Sequence, residues 1–117
     1  VSTGVSIYLS KEANLGALQQ ISKLAPQSAL AMTFLLCPSL LGKDERATME
    51  FVMKRAEESG TPFLSLFGPE EILALAHSAG FSQAKYVSAE DIYKLYFEGR
   101  PDRLRAGQAE SFLVART

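Results

Sequence analysis

Residues 28–37, SALAMTFLLC, carry no charged side chain and place apolar groups at both parities of an extended chain. Successive residues of a strand point to opposite faces, so a strand with one wet face alternates apolar and polar side chains. A run that is apolar at both parities needs cover on both faces, as in a strand inside a helix-clad parallel sheet. It is far shorter than the ~20 apolar residues that span a bilayer. This run therefore predicts an α/β fold and obliges its neighbours to supply helices.

Those helices are legible on either side. Upstream, Leu15, Leu18, Ile21 and Leu24 recur at helical spacing behind Ser10, a good N-cap, and Pro26 ends the pattern. Residues 1–9 are β-branched and apolar around Gly4 and read as the end of a strand running into a loop. Strand, helix and buried strand make one right-handed crossover. Downstream, Asp44 is expected to cap a helix over 45–59 with Met49, Val52, Met53 and Ala56 as its apolar stripe, and Gly60 fits the left-handed position beyond it. Residues 61–67 (TPFLSLF) suit either a short strand or a packed loop.

The clearest helix follows. Pro69 takes its first position, Glu70 and Glu71 its positive end, Ile72, Leu75, Ala76 and Ala79 its inner face, and Gly80 its end, with Phe81 folding back. Residues 83–87 read as a strand, and Ser88 with Asp91 as a capping box for a helix whose inner face is Ile92, Leu95 and Tyr96. A polar loop over 99–107 precedes a last strand at 110–116 (ESFLVAR). The predicted order is β-α-β-α-α-β-α-β, an α/β sheet with helices on both faces. Four strands, the first a stub, are fewer than a doubly wound sheet holds. Residues 1–117 are thus expected to form a single partial domain.

Twelve basic and 13 acidic side chains leave no electrostatic footprint for nucleic acid or anionic lipid. Cys37 is the only cysteine, which excludes an internal disulfide and metal sites built on several thiolates; no metal is expected, and a reducing cytoplasmic setting is. The opening VSTGVSIYL has no Met and no basic stretch, so it is expected to continue a longer chain rather than to be a signal peptide.

Residues 1–10 (VSTGVSIYLS), 61–81 (TPFLSLFGPEEILALAHSAGF) and 96–104 (YFEGRPDRL) resemble, in order, the segments EGVxMYL, PFLSxFdPEELaaLLaeAGF and YFaGRaDgL of the leucine carboxyl methyltransferase-like family, and SFLVAR resembles its closing strand. The family belongs to the class I S-adenosylmethionine-dependent O-methyltransferases. The resemblance implies the C-terminal half of a Rossmann-like seven-stranded sheet, its last strand antiparallel between the fifth and sixth. Residues 28–37, 83–87 and 110–116 would then be strands five, six and seven. The family's glycine-rich loop and its ribose-binding acidic residue would lie upstream, so S-adenosylmethionine would need the N-terminal half.

Ligands of open α/β sheets sit beyond the carboxyl ends of the parallel strands. The resemblance makes Thr3 and Gly4 the candidate cofactor contacts. Thr3 stands where the family usually has a glutamate, and a hydroxyl cannot pair with the cofactor's ammonium group as a carboxylate does. Tyr8 matches the family's tyrosine and is a candidate substrate contact, against packing under the next helix. Phe63, Ser65 and Phe67 are candidates for the substrate wall, and Met49, Val52 and Met53 for the acceptor pocket, against ordinary core packing. Cys37 reads as a small buried residue and His77 as a surface one. Arg100, Arg103 and Arg105 read as a solvated loop with a structural turn. No catalytic residue is assigned, because methyl transfer needs mainly alignment of an already activated group.

The expected function is methyl transfer to a carboxylate or hydroxyl oxygen of a small or polyketide-like molecule. The alternative is a non-catalytic α/β interaction or regulatory module. No nucleophile elbow or phosphate loop supports a hydrolase. With most of strand four absent, the edge of residues 28–37 is expected to be open and to drive self-association. Sedimentation checks this: mass should rise with concentration, and a concentration-independent monomer counts against it.

Overall fold

The computed structural model describes residues 1–117. Its sheet has three strands, β1 (Ala29–Leu35), β2 (Gln83–Val87) and β3 (Glu110–Arg116), in the order β1-β3-β2. β3 is antiparallel to both neighbours, so β1 and β2 run in the same direction with the last strand between them. This is the order expected for strands five, seven and six. Met32, Leu113 and Tyr86 lie side by side across the three strands, and Leu113 is completely buried.

α1 (Lys11–Ser22) and α3 (Pro69–Ala79) pack against each other over one face of the sheet. That face carries Leu30, Met32, Phe34, Leu113 and Ala115, all buried with Leu18, Ile72 and Ala76 in one cluster. Phe34 meets Phe67 edge-on at 6.3 Å and Tyr86 at 6.1 Å. Burying each large apolar side chain contributes about 1.5–3 kcal/mol. The reverse face, with Ala31, Leu35, Phe112 and Val114, is half-buried. No helix is long and apolar enough to cross a membrane.

The helix ends follow local chemistry. Ser10 Oγ accepts from the Ala13 N–H at 3.1 Å and starts α1. α1 stops at Ser22, before Pro26, so Leu24 is exposed rather than part of an inner face. α2 (Lys43–Glu58) starts from Gly42 without a side-chain cap, which corrects the role expected of Asp44: that residue lies in the first turn with Glu45. The Gly42 carbonyl already accepts from the Arg46 N–H at 2.8 Å, so the helix opens earlier than the side-chain signal. Gly60 has a φ of 78°, as expected.

α4 (Ala89–Ile92) opens on the Ser88–Asp91 capping box and widens at once into a π turn over Tyr93–Phe97. A π turn holds more residues than an α turn, so the inner face rotates. Tyr93 and Phe97 are half-buried, whereas Leu95 and Tyr96, expected inside, are 66% and 68% exposed.

The edge of β1 is not open over its carboxyl half. Ser2 forms a parallel bridge with Met32: its N–H donates to the Ala31 carbonyl and its carbonyl accepts from the Thr33 N–H, both at 2.9 Å. Phe67 does the same beside Leu36, donating to Leu35 at 3.0 Å and accepting from Cys37 at 3.2 Å. Residues 61–67 are therefore a packed loop, and the strand at residues 1–9 contracts to Ser2 followed by a 3-10 turn at Ser6–Tyr8. The opportunity for edge pairing with a second copy is correspondingly small along that half.

Gly80 ends α3 with a φ of 107°, and a β-carbon there would stand 3.1 Å from Ser22 Oγ. That hydroxyl donates to the Ala79 carbonyl at 2.6 Å and ties α1 to α3. Gly80→Ala should cost about 1–2 kcal/mol, read as a lower urea midpoint; an unchanged midpoint would show that the left-handed end is not required.

Candidate functional site

Both β1 and β2 deliver their carboxyl ends to one side of the molecule, and β3 enters from that side: Leu35 pairs with Glu110 and Val87 with Phe112. A cleft of about 400 Å³ opens there. Its apolar lining is Leu35 from β1, Met49 and Val52 from α2, Phe63 from the packed loop, and Ala109. Its polar lining is Asp44, Glu45 and Thr48 of α2, with Gln108 and Glu110 at the entry to β3. The volume and the apolar share suit a small organic ligand.

The opening loop stands beside this cleft and is tightly held. Gly4, at a φ of 68°, donates its N–H to Thr33 Oγ1 at 2.9 Å. Ser6 Oγ donates to the Thr33 carbonyl at 2.8 Å. Asn14, buried in α1, donates from Nδ2 to the carbonyls of Ser6 at 2.9 Å and Ser10 at 3.1 Å. The Leu64 N–H donates to the Ile7 carbonyl at 2.6 Å, so residues 5–10 and 61–67 are stitched together. Across that seam the Tyr8 ring meets Phe63 edge-on at 5.8 Å. No buried side-chain nitrogen or oxygen lacks a partner.

The structure thus sorts the expected residues. Tyr8 is 47% exposed and reaches the cleft region through Phe63. Phe63, Met49 and Val52 line the cleft, while Met53 lines a neighbouring groove. Ser65 and Phe67 have no exposed surface: the Ser65 hydroxyl donates to the Leu9 carbonyl at 2.5 Å, and Phe67 sits in the core. Thr3 is exposed, and Gly4 serves the turn onto Thr33. Cys37 is half-buried, and His77 is exposed with Nδ1 3.3 Å from the Phe81 carbonyl.

The arginine loop makes its own contacts. Arg100 pairs with Asp102 through two hydrogen bonds, and Arg105 lies 4.6 Å over the Tyr93 ring. The Arg100 bond, then the Leu104 N–H, hold the Asp102 carboxyl below its ordinary range. The Ser88 N–H and hydroxyl do the same for Asp91. Depressed carboxyls stabilise above their unfolded pKa and lose that contribution as pH falls through the folded one, so both turns weaken only in acid.

Sequence reasoning missed Asn14 and Thr33, the two side chains that hold the opening loop. It also missed Glu45, Thr48, Gln108 and Glu110 in the cleft. A signal existed for α2, since Asp44 and Thr48, and Glu45 and Met49, are four residues apart and share a face.

No protein-family model matches the chain. YktD of Bacillus subtilis (strain 168), named as a candidate S-adenosyl-L-methionine-dependent methyltransferase, is 29% identical over 113 residues, which is 96% of this chain and 37% of YktD. The chain therefore spans little more than a third of that relative. Among solved structures, a candidate O-methyltransferase from Nostoc punctiforme PCC 73102 superposes with a TM-score of 0.63 at 15% identity, over 99% of this chain and 30% of the other. A candidate exported protein from Bordetella parapertussis superposes with a TM-score of 0.65 at 17% identity, over 99% of this chain and 37% of the other. The chain is homologous to a candidate S-adenosyl-L-methionine-dependent methyltransferase, and its α/β fold is that of part of two larger solved structures.

Asn14→Ala removes the bonds to the buried Ser6 carbonyl and to the Ser10 carbonyl, and Thr33→Val strips the acceptor from Gly4. Each should lower stability by about 1–3 kcal/mol, measured by urea unfolding, and broaden the amide resonances of residues 4–9. Sharp, unshifted resonances in both variants would show that the loop is held otherwise.

Proposed function

We propose that this chain is the C-terminal portion of an S-adenosylmethionine-dependent O-methyltransferase of the leucine carboxyl methyltransferase-like kind, and that it provides the acceptor side of the active site. The observation that carries the reading is the match to YktD over 96% of the chain. The inserted antiparallel β3 and the cleft at the carboxyl ends of the parallel strands support it.

The residues present fit the cofactor only in part. Thr3 is exposed and offers a hydroxyl. Gly4 is not a cradle, because a β-carbon there would meet nothing within 4 Å and its N–H is already bound to Thr33. Thr3 is the contact this chain would offer, and the rest of the cofactor site would come from outside residues 1–117. The chemistry supplied by bound S-adenosylmethionine is a methyl group activated on a sulfonium. This chain's part is to bind and orient the acceptor: Leu35, Met49, Val52 and Phe63 exclude water, and Phe63 buttresses the Tyr8 ring. Alignment of this sort lowers the barrier without an acid–base group. The acceptor is a small organic molecule, and the setting is the cytoplasm.

A second reading, a non-catalytic α/β module, draws on one observation: the carboxyl half of the β1 edge is satisfied by Ser2 and Phe67 from within the chain. Cofactor binding separates the two. Titrated with S-adenosylmethionine in a calorimeter, the 117-residue chain should give no heat. The matching segment of YktD replaced by this chain should give a folded chimaera that binds the cofactor. Binding by this chain alone would contradict the division of the site, and a folded chimaera that fails to bind would favour the non-catalytic module.

A further inference from the structure

We infer that the reverse face of the sheet packs against the same face of a second copy of this chain, about a two-fold axis that sets the strands of the two copies antiparallel. The inference goes beyond the methyltransferase reading and does not depend on it.

Along β3, Ser111, Leu113 and Ala115 are buried on the side of α1 and α3, so Glu110, Phe112, Val114 and Arg116 stand on the reverse face. Thr33 and Val87 flank Phe112 there, and Ala31 and Lys85 flank Val114. Phe112, Val114, Ala31 and Val87 are half-buried, and an open groove runs along Gln83, Lys85, Val114 and Arg116. The opening loop covers Thr33, so the free part of the face centres on β3 and β2. Glu110 and Arg116 are exposed at its two ends. Neither is in an ion pair; the pairs in this molecule are Lys11–Glu71, Lys94–Glu90 and Arg100–Asp102.

The middle strand thus presents acid, apolar, apolar, base, an order that is its own complement when reversed. A two-fold contact joins one patch to itself, and packed sheets keep their strands nearly aligned. An axis along the strands would stack Glu110 on Glu110 and Arg116 on Arg116, which like charges oppose. An axis across the strands, passing over Leu113, stacks Glu110 of each copy on Arg116 of the other and Phe112 on Val114. Edge pairing is the competitor. The carboxyl half of the β1 edge is closed by Ser2 and Phe67. The outer edge of β2 is free but only five residues long and carries Lys85, and short edges with lysine resist pairing. Seven residues of β3 span about 24 Å and three strands about 14 Å. The contact therefore covers at most on the order of 300–400 Å² of each copy, against about 800 Å² in stable complexes. The dimer is accordingly weak and reversible, with a dissociation constant of about 0.1–1 mM.

Sedimentation of the 117-residue chain, from about 20 µM to about 1 mM so as to bracket that constant, reads the mass, and resonance shifts over the same range read the surface. Mass should rise towards the dimer, and the side-chain resonances that move should be those of Val87, Phe112 and Val114. Glu110→Arg and Arg116→Glu, both at exposed positions, should each raise the dissociation constant about tenfold. The chain carrying both substitutions keeps its net charge and should associate as the unsubstituted chain does, because each end again meets its opposite. A double exchange that fails to restore association would overturn the antiparallel pairing. Shifts confined to the β2 amides would put the contact at that edge, and a monomer at every concentration would leave the face to a segment from outside residues 1–117; either result overturns the inference.

Discussion

β3 enters the sheet against the direction of its two neighbours, and most of the structure follows from that. β2 ends at Val87, at the same end of the sheet as the end of β1. Between Val87 and Glu110 the chain makes one helical turn, a π turn and a loop, and never returns to the far end. The next strand must start where β2 stopped and run back. It does so between β1 and β2, where both of its edges find hydrogen-bond partners and Leu113 and Ala115 lose contact with water. Without β3 the two parallel strands would share no partner.

The same reversal makes the cleft. Because β3 begins at the carboxyl ends of the parallel strands, Gln108, Ala109 and Glu110 become a wall facing α2, with Leu35 and Phe63 between. A parallel final strand would have put its carboxyl end there and carried its entry loop to the other side. The position of the site is thus a consequence of topology, and its chemistry of the few residues that happen to stand at the turn-in point.

The opening loop shows how side chains can replace a missing ladder. Thr33 accepts from Gly4 and, through its carbonyl, from Ser6, while Asn14 holds Ser6 from the other side. Phe67 completes the edge further along β1. A buried polar group left without a partner is costly, and here every such side chain is satisfied. Tyr8 and Phe63 are brought together where the Leu64–Ile7 and Ser65–Leu9 hydrogen bonds join their segments.

Local chemistry was readable without coordinates. The two-faced apolar run of β1, the cap at Ser10, the Pro69 start and Gly80 end of α3, and the Ser88–Asp91 box each declare themselves within a few residues, because hydrogen-bond needs at helix ends and strand burial act at short range. The resemblance placed β3 between β1 and β2. Three features had no such signature. The π turn after α4 moved Leu95 and Tyr96 outwards, because a widened turn breaks the period on which inner-face reasoning depends. Ser65 and Phe67 went into the core and left Phe63 alone at the cleft, because parity in an irregular loop does not decide direction. Gln108 and Glu110 came to line the same cleft as α2 only because β3 starts at the carboxyl ends of β1 and β2. Sequence by itself determined the elements and their ends; tertiary structure decided which side chains meet in the cleft, since that depends on contacts between residues that are distant in the chain.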